Sequence, residues 1–219
     1  MHMPEDDSTG QIAALFVDSR GIYADDPRFD VWDIERDARL YDGTNVVVAH
    51  PPCSRWCRLA GLVQARWGYK VGDDGGCFAS ALASVRRCGG VIEHPAYSKA
   101  WAAFSLPTPS RAGGWIRGLC GGWSCHVEQG RYGHVAKKAT WLYAYGPEGW
   151  EPPTMLWGST PDNEVTHRVS WCGNRTKGEK RPRVGKRTAS ATTPDFLRAL
   201  VAVVDSVVRC LPRRPHADL

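Results

Sequence analysis

Three short apolar runs, each ending in polar residues or proline, limit the folds open to this chain more than any other feature. They are IAALFVDS (12–19), VVVAH (46–50) and VIEHP (91–95). Runs of this length that contain β-branched residues predict strands buried inside a sheet. Between them, FDVWDIERDARLY (29–41) begins like a strand and continues like a helix, and residues 72–90 have a helical pattern that stops at two glycines. Strands that alternate with helices predict an α/β fold, with a mainly parallel sheet and helices on both faces.

The second half of the chain adds a strand pair and the clearest helix. WSCHVEQ (123–129) and ATWLYAYG (139–146) predict two antiparallel strands joined by a turn near Tyr132. Residues 193–211 predict a helix with threonine as its N-cap and proline at its first position. These elements together predict a Rossmann-like fold that ends in an antiparallel C-terminal strand pair.

The composition is that of an ordinary globular protein, because 42% of the 219 residues are hydrophobic and 23% are charged. No apolar run reaches the length of about 18 residues that a membrane span needs, and the first residues are acidic and polar, unlike a secretory signal. We therefore expect a cytoplasmic protein with reduced cysteines and no membrane partner. The expected organisation is a core of residues 1–146, a small basic segment of residues 147–190 and a C-terminal helix, within residues 191–219, that packs back on the core. The sequence leaves the oligomeric state open.

The positive charge is concentrated in one stretch. Residues 168–187 contain eight Lys and Arg side chains and one acid, Glu179. One interpretation is a solvated, flexible loop. The other is a loop that contacts phosphates, since such cations supply the sequence-independent part of nucleic-acid affinity. Eight cations against one acid favour DNA, and the candidate backbone contacts are Arg168, Lys180, Arg181 and Arg183.

Reactive side chains follow the predicted strands. Asp18, Asp33, Cys53 and Glu93 each lie at or just after the end of an apolar run. Each has a plain structural interpretation: a turn former, a helix cap or a small buried thiol. However, ligands of open α/β sheets bind beyond the carboxyl ends of the strands, and this sheet would bring all four residues to that edge.

Six segments, in order and spread over roughly residues 12 to 200, resemble motifs of one family. They are LFVDSRGIY, VWDIERDA, VVVAHPPCS, GVIEHP, YGHVAKKATWLYAYG and ATTPDFLRAL. The set is similar to the motifs of the cytosine-C5 DNA methyltransferases, and the Pro-Pro-Cys and Glu-x-Pro pair is its most specific part. The chain resembles a compact, divergent, phage-like member of that family. The resemblance implies a methyltransferase-like fold and an enzyme that acts on DNA.

The resemblance also implies roles for individual residues. Cys53 would add to C6 of a flipped cytosine, and Glu93 would engage N3 with a raised pKa. Lys138, or Lys137 next to it, would stabilise the charge that develops on the ring. The remaining substrate contacts would be Pro52, His94, Pro95, Gln129 and Thr140. The chain departs from the family where His94 replaces an asparagine, and where Lys138 and Thr140 stand at the positions of two arginines.

The same resemblance implies S-adenosylmethionine as the methyl donor. Its expected contacts are Phe16, Asp18, Gly21, Asp33, Asp37 and Pro51. The first motif departs from the family's denser glycine turn, because only Gly21 remains.

Three alternatives stay open. The protein could modify cytosine, or a free cytosine nucleotide, with a different one-carbon donor. It could be a non-catalytic DNA-binding protein on a degenerate methyltransferase fold. It could also bind zinc through the pairs Cys53–Cys57 and Cys120–Cys125, but neither pair has the Cys-x2-Cys spacing of a zinc knuckle, so we expect no metal.

Overall fold

The computed structural model describes residues 12–169 and 180–211, and one seven-stranded sheet forms its centre. The strands are β1 (Ile12–Leu15), β2 (Phe29–Trp32), β3 (Val46–Ala49), β4 (Gly90–Pro95), β5 (Ile116–Arg117), β6 (Trp123–Glu128) and β7 (Ala139–Tyr145). They lie in the order β2-β1-β3-β4-β7-β6-β5. β1 to β4 pair in parallel, whereas β7 pairs antiparallel with both β4 and β6, and β5 pairs antiparallel with β6. The α/β class and the antiparallel C-terminal strand pair are therefore confirmed, and the sheet is compatible with a Rossmann-like fold.

The described helices are α1 (Ala60–Trp67), α2 (Cys77–Cys88), α3 (Lys99–Ala103), α4 (Lys186–Ser190) and α5 (Pro194–Cys210). Short 3-10 turns occupy Ala38–Leu40, Gln129–Tyr132 and Asp162–Glu164. The sequence patterns predicted α2 and α5 but not α1. None of the helices in the described part of the chain is long and apolar enough to cross a membrane.

The helix predicted within residues 29–41 is reduced to the single 3-10 turn. Asp33 ends the preceding strand, and its Oδ1 accepts hydrogen bonds from the backbone N–H groups of Glu35 and Arg36. Asp37 then adopts a left-handed backbone with φ of 50°, which an α-helix cannot continue through. Local hydrogen bonding by aspartate therefore outweighs the helical pattern.

The sheet separates two apolar cores. On one face, α5 packs Leu200 and Val204 against strand residues that include Val48, Val91 and Leu142. On the other face, α2 and α3 pack on the alternate strand residues; their contacts include Phe78, Val85 and Trp101 against Val47, Ile92 and Tyr143. Helices thus cover both faces, as predicted. Because strand side chains alternate, neighbouring residues of β4 point into different cores.

Helix α5 forms as its sequence indicates. The side-chain oxygen of Thr193 accepts a hydrogen bond from the Phe196 N–H at 3.3 Å, and Pro194 occupies the first turn. The capped helix buries seven residues, including Leu200, against the sheet. Near its end Val207 contacts Gly89, so α5 runs from the carboxyl edge of the parallel strands to their amino edge.

The first part of the basic segment, residues 147–169, contacts the α5-side core through a few apolar side chains. Trp150 and Met155 are buried there, and the Trp150 indole N–H donates to Ser206 Oγ of α5. Whether residues 147–190 bind DNA stays a prediction.

Candidate functional site

Four neighbouring strands place polar residues at one edge of the sheet, on the face that α5 covers. Each polar residue lies two positions from a buried residue of the α5-side core. On β4 and β7 the pairs are Val91 with Glu93 and Leu142 with Thr140; at β3 and β6 they are Val48 with His50 and Val127 with Gln129, where the polar residue directly follows the strand. The register pairs Ala49 with Ile92, so His50 and Glu93 follow side by side. Strand alternation therefore builds a polar row from residues far apart in sequence.

Glu93 is the centre of this row. His50 Nδ1 lies 3.0 Å from Glu93 Oε2, and Gln129 Nε2 donates to Oε1 at 2.9 Å. Thr140 Oγ1 lies 3.4 Å from the same Oε1 and accepts from Gln129 Nε2 at 3.0 Å. Glu93, Gln129 and Thr140 are thus brought together as the sequence predicted.

The pKa of Glu93 is lowered to about 2. Burial is the largest influence and would raise it, but the hydrogen bond from His50 and the positive charge of Lys138 together outweigh burial. The expected raised pKa is therefore wrong for the free protein, and Glu93 is a carboxylate at neutral pH.

Cys53 begins the turn that follows Pro51 and Pro52. Its carbonyl oxygen accepts from the Trp56 N–H at 3.0 Å and the Cys57 N–H at 2.8 Å. The indole of Trp56 is buried beneath the turn and donates to Asp74 Oδ2 at 2.7 Å. The turn that carries the thiol is therefore fixed to the segment that begins α2.

The Cys53 thiol interacts electrostatically with Glu93 and Lys138. Burial and then the Glu93 charge raise the pKa of Cys53 to about 11, and Lys138 acts in the opposite direction. Cys53 is thus a thiol at neutral pH, and an arriving substrate has to assist the loss of its proton.

Lys138 precedes β7 and has a left-handed backbone with φ of 42°. Its Nζ donates to the carbonyl oxygen of Ala191 at 2.9 Å. Burial lowers the pKa of Lys138, whereas the charges of Glu93 and Cys53 raise it. The three predicted catalytic residues therefore lie within electrostatic reach of one another.

The two residues that follow Glu93 on β4, His94 and Pro95, lie in different surroundings. His94 points into the other core, where its fully buried ring packs edge-on against Phe78 at 5.3 Å between ring centroids. Burial lowers the pKa of His94 to about 4, so the ring is neutral. Neither ring nitrogen forms a hydrogen bond. Pro95 ends β4 opposite Thr140. The predicted role of His94 in substrate binding therefore has no geometric support.

A cavity of about 640 Å³ lies beside the Pro-Pro-Cys turn, at the carboxyl ends of β1 and β2. Of the predicted cofactor residues, Phe16, Asp18, Asp33 and Asp37 line it. Gly21 and Pro51 do not, and Pro52 lines it instead. The cavity therefore borders the residue that precedes Cys53.

The cavity suits a nucleoside-containing ligand. Its volume lies within the usual range for small-molecule sites. Ile34 lies on its wall with 93% of its surface exposed, which offers an apolar face to a flat ring. Asp33 lies at the end of β2, where an acid can bind ribose hydroxyls, although it also accepts the two backbone hydrogen bonds of its own turn. Asp37 pairs with Arg39 at 2.7 Å.

No group of three or more His, Cys, Asp and Glu side chains within residues 12–169 and 180–211 is arranged to hold a metal ion.

The predicted DNA-backbone residues divide into two pairs. Arg168 Nε donates to the carbonyl oxygen of Arg181 at 3.1 Å, and Arg181 pairs with Asp162 at 3.3 Å. Lys180 and Arg183 are exposed. Two other cations of the basic stretch, at positions 175 and 177, lie outside the described residues.

A second basic surface follows the Cys53 turn. Residues 54–70, which we call the α1 surface, contain four Lys and Arg residues and no acid. Two of its aromatic rings, Trp67 and Tyr69, are exposed and lie beside arginines. Arg55 lies 4.1 Å from the Tyr69 ring centroid, and Arg66 lies 5.0 Å from that of Trp67. Exposed aromatic rings among cations are typical of surfaces that bind nucleic acid.

Sequence reasoning missed His50, Tyr23 and Ile34. His50 had a usable signal, because it ends the strand next to that of Glu93. Tyr23 lies in the loop after β1, and nothing in the sequence indicates that its hydroxyl reaches His50 Nε2 at 2.5 Å.

The comparisons leave the family open: the chain matches no protein-family model, no curated protein and no solved structure.

Proposed function

We propose that the chain modifies cytosine at C5 in DNA, most simply by transferring a methyl group from S-adenosylmethionine through a covalent bond between Cys53 Sγ and C6. One observation carries the proposal. Cys53, Glu93 and Lys138 interact electrostatically at one edge of the sheet, and Pro52, the neighbour of Cys53, lines the adjacent cavity.

Glu93 suits the polar edge of cytosine. A carboxylate accepts hydrogen bonds, and the exocyclic amino group of cytosine donates them. Gln129 and Thr140 contact Oε1 of this carboxylate at 2.9 Å and 3.4 Å. Cytosine must leave the duplex to make this contact, because its edge is otherwise paired.

Attack by Cys53 forms the S–C6 bond while the thiol proton passes to water. The electrons of the C5–C6 double bond make C5 nucleophilic, and the charge that builds on the ring is stabilised by the ammonium group of Lys138. When bound in the cavity, S-adenosylmethionine supplies an electrophilic methyl group on a sulfonium. C5 takes up the methyl group as the bond from that group to the sulfonium sulfur breaks. Loss of the C5 proton to water and departure of Cys53 Sγ as a thiolate then restore the double bond, and the thiolate takes a proton from water to regenerate the thiol.

Trapping tests this route directly. We expect an oligonucleotide containing 5-fluorocytosine, incubated with the protein and S-adenosylmethionine, to form an adduct that survives denaturation. Fluorine cannot leave C5 as a proton does, so the S–C6 bond persists. Mass spectrometry of the digested adduct should locate the oligonucleotide on Cys53.

Cys57 provides the matched control, because it lies one turn later and its thiol is only partly buried. Cys57→Ala should form the adduct as the wild type does, whereas Cys53→Ala should form none. An adduct that persists in Cys53→Ala would exclude Cys53 as the nucleophile.

Ligand binding in the cavity can be tested without any reaction. We expect S-adenosylmethionine and its demethylated product to raise the melting temperature of the wild type, since both bind the folded state. Asp33→Ala and Ile34→Ser should each reduce that increase. Glu148→Gln, an exposed change outside the cavity, should preserve it. No increase in the wild type with either compound would instead favour a different one-carbon donor.

A further inference from the structure

His50 is a largely buried residue at the site for which the proposed reaction has no direct use. Its side chain is 15% exposed. Its backbone N–H donates to the Leu15 carbonyl oxygen at 3.0 Å, which fixes the end of β3 against β1. Its two ring nitrogens face Glu93 and Tyr23.

The partners of His50 define its tautomer. The Glu93 carboxylate can only accept a hydrogen bond, so His50 Nδ1 must donate. In a neutral imidazole, Nε2 then accepts, and the Tyr23 hydroxyl is its partner at 2.5 Å. Burial raises the pKa of Tyr23 far above its ordinary value, so its hydroxyl keeps the proton that it donates. Tyr23 also forms a hydrogen bond with Thr192.

The titratable groups around this chain of hydrogen bonds come from several elements. Tyr23 lies in the loop after β1, Glu93 on β4, Cys53 in the turn after β3, and Lys138 before β7. His94 is close in sequence but buried in the opposite core. His50 links Glu93 to the Tyr23 hydroxyl through its two ring nitrogens.

We propose that His50 is a positioning residue for Glu93: its Nδ1–H orients the carboxylate towards the cytosine amino group, and Tyr23 fixes the imidazole tautomer that makes this possible. The inference rests on the proposed function for the identity of the base. The hydrogen-bond geometry that carries it does not depend on the reaction.

Two substitutions of His50 distinguish loss of its hydrogen-bond donor from loss of its side-chain volume. Asparagine places its amide N–H₂ close to the position of Nδ1, so His50→Asn retains a donor for Glu93. His50→Leu fills similar space and donates nothing. A purely structural role would make both variants equally defective.

The first measurement follows the side-chain carboxyl carbon of Glu93 by NMR across pH, with the resonance assigned through Glu93→Gln. His50→Leu should raise the midpoint of this titration by about one pH unit or more, because a hydrogen bond to the charged form is lost. His50→Asn should raise it by less than half as much. Tyr23→Phe should give a small rise, since the tautomer is no longer fixed.

The second measurement is the rate of adduct formation with the 5-fluorocytosine oligonucleotide. His50→Leu should slow it by about tenfold or more while DNA binding is unchanged, and His50→Asn should recover most of the rate. His126→Leu is the control, because this buried histidine lies on the opposite face and its Nδ1 has no partner.

The two measurements distinguish an error in the proposed function from an error in the role of His50. If the wild type forms no adduct, the proposed function is wrong and the Glu93 titration alone decides the role of His50. An unchanged titration in His50→Leu, or equal defects in His50→Leu and His50→Asn, would overturn the inference. If His50→Leu does not fold, an unchanged titration in Tyr23→Phe would overturn the role of the tautomer.

Discussion

At the scale of single residues, the site combines a carboxylate that stays charged with a thiol that stays neutral. Burial acts on both Glu93 and Cys53 and opposes the charged form of each. Glu93 overcomes burial because His50 donates to it and Lys138 lies near. For Cys53 the Glu93 charge adds to burial, and a backbone hydrogen bond and the Lys138 charge, which both lower the pKa, do not offset them. The difference between the two groups therefore arises from their neighbours.

Glu93→Gln tests the effect of the Glu93 charge on turnover and on the stability of the fold. Glu93→Gln keeps the side-chain shape and removes the charge, so we expect turnover to fall by about a hundredfold or more with DNA binding largely retained. The pKa of Glu93 falls from 4.5 to about 2 on folding. Its charge therefore stabilises the fold above pH 4.5, and this contribution is lost as the pH falls towards 2.

Urea unfolding of the two proteins across that pH range measures the contribution. The wild type should lose free energy of unfolding more steeply with acid than Glu93→Gln does. Glu148→Gln, an exposed change, should follow the wild type. Parallel curves for the wild type and Glu93→Gln would show that the Glu93 charge does not stabilise the folded protein.

At the scale of elements, the parallel pairing of β3 with β4 aligns His50 with Glu93 and depends on one glycine. Gly90 begins β4 with φ of 137°, and a Cβ there would lie 2.0 Å from the Val47 carbonyl oxygen. We expect Gly90→Ala to lower the free energy of unfolding by on the order of 3 kcal/mol or more, as measured by urea denaturation.

Gly149 provides the control: it also has a positive φ, of 78°, but a Cβ added there would meet no atom within 4 Å. Gly149→Ala should therefore cost only about 1 kcal/mol from backbone strain.

The sequence predicted those elements whose patterns repeat and missed those set by single side chains. The apolar runs of β1, β3 and β4 and the capped, amphipathic α5 are local signals, so they could be recognised. The turn at Asp37 depends on a left-handed backbone, which no periodicity encodes. The family resemblance implies that His94 contacts the substrate together with Glu93, yet strand alternation turns the two side chains to opposite faces. Tyr23 reaches His50 only through the folded loop.

At the scale of the whole molecule, two basic surfaces accompany the candidate site. The end of the basic segment and the residues after it contact the region of the site. The carbonyl oxygen of Thr188 lies 3.0 Å from His134 Nε2, and that of Ala191 accepts a hydrogen bond from Lys138 Nζ. The α1 surface follows the Cys53 turn directly. A polymer that placed one base near Cys53 could contact both surfaces, whereas a single nucleotide would reach neither in full.

Salt dependence distinguishes these substrates. Each phosphate contact contributes about 0.9 to the slope of log affinity against log salt. Arg181 already pairs with Asp162, so the informative substitutions are the exposed ones. We expect two double variants, Lys180→Ala with Arg183→Ala and Arg66→Ala with Lys70→Ala, each to flatten the slope for duplex DNA by about two units, because each would lose two phosphate contacts.

Fluorescence anisotropy over a salt series measures the slopes. Arg209→Ala, in the last turn of α5 and hence at the opposite edge of the sheet, should leave the slope unchanged. If neither double substitution changes the slope, the cations belong to solvated surface, and a free cytosine nucleotide becomes the better substrate, because it needs no extended line of positive charge.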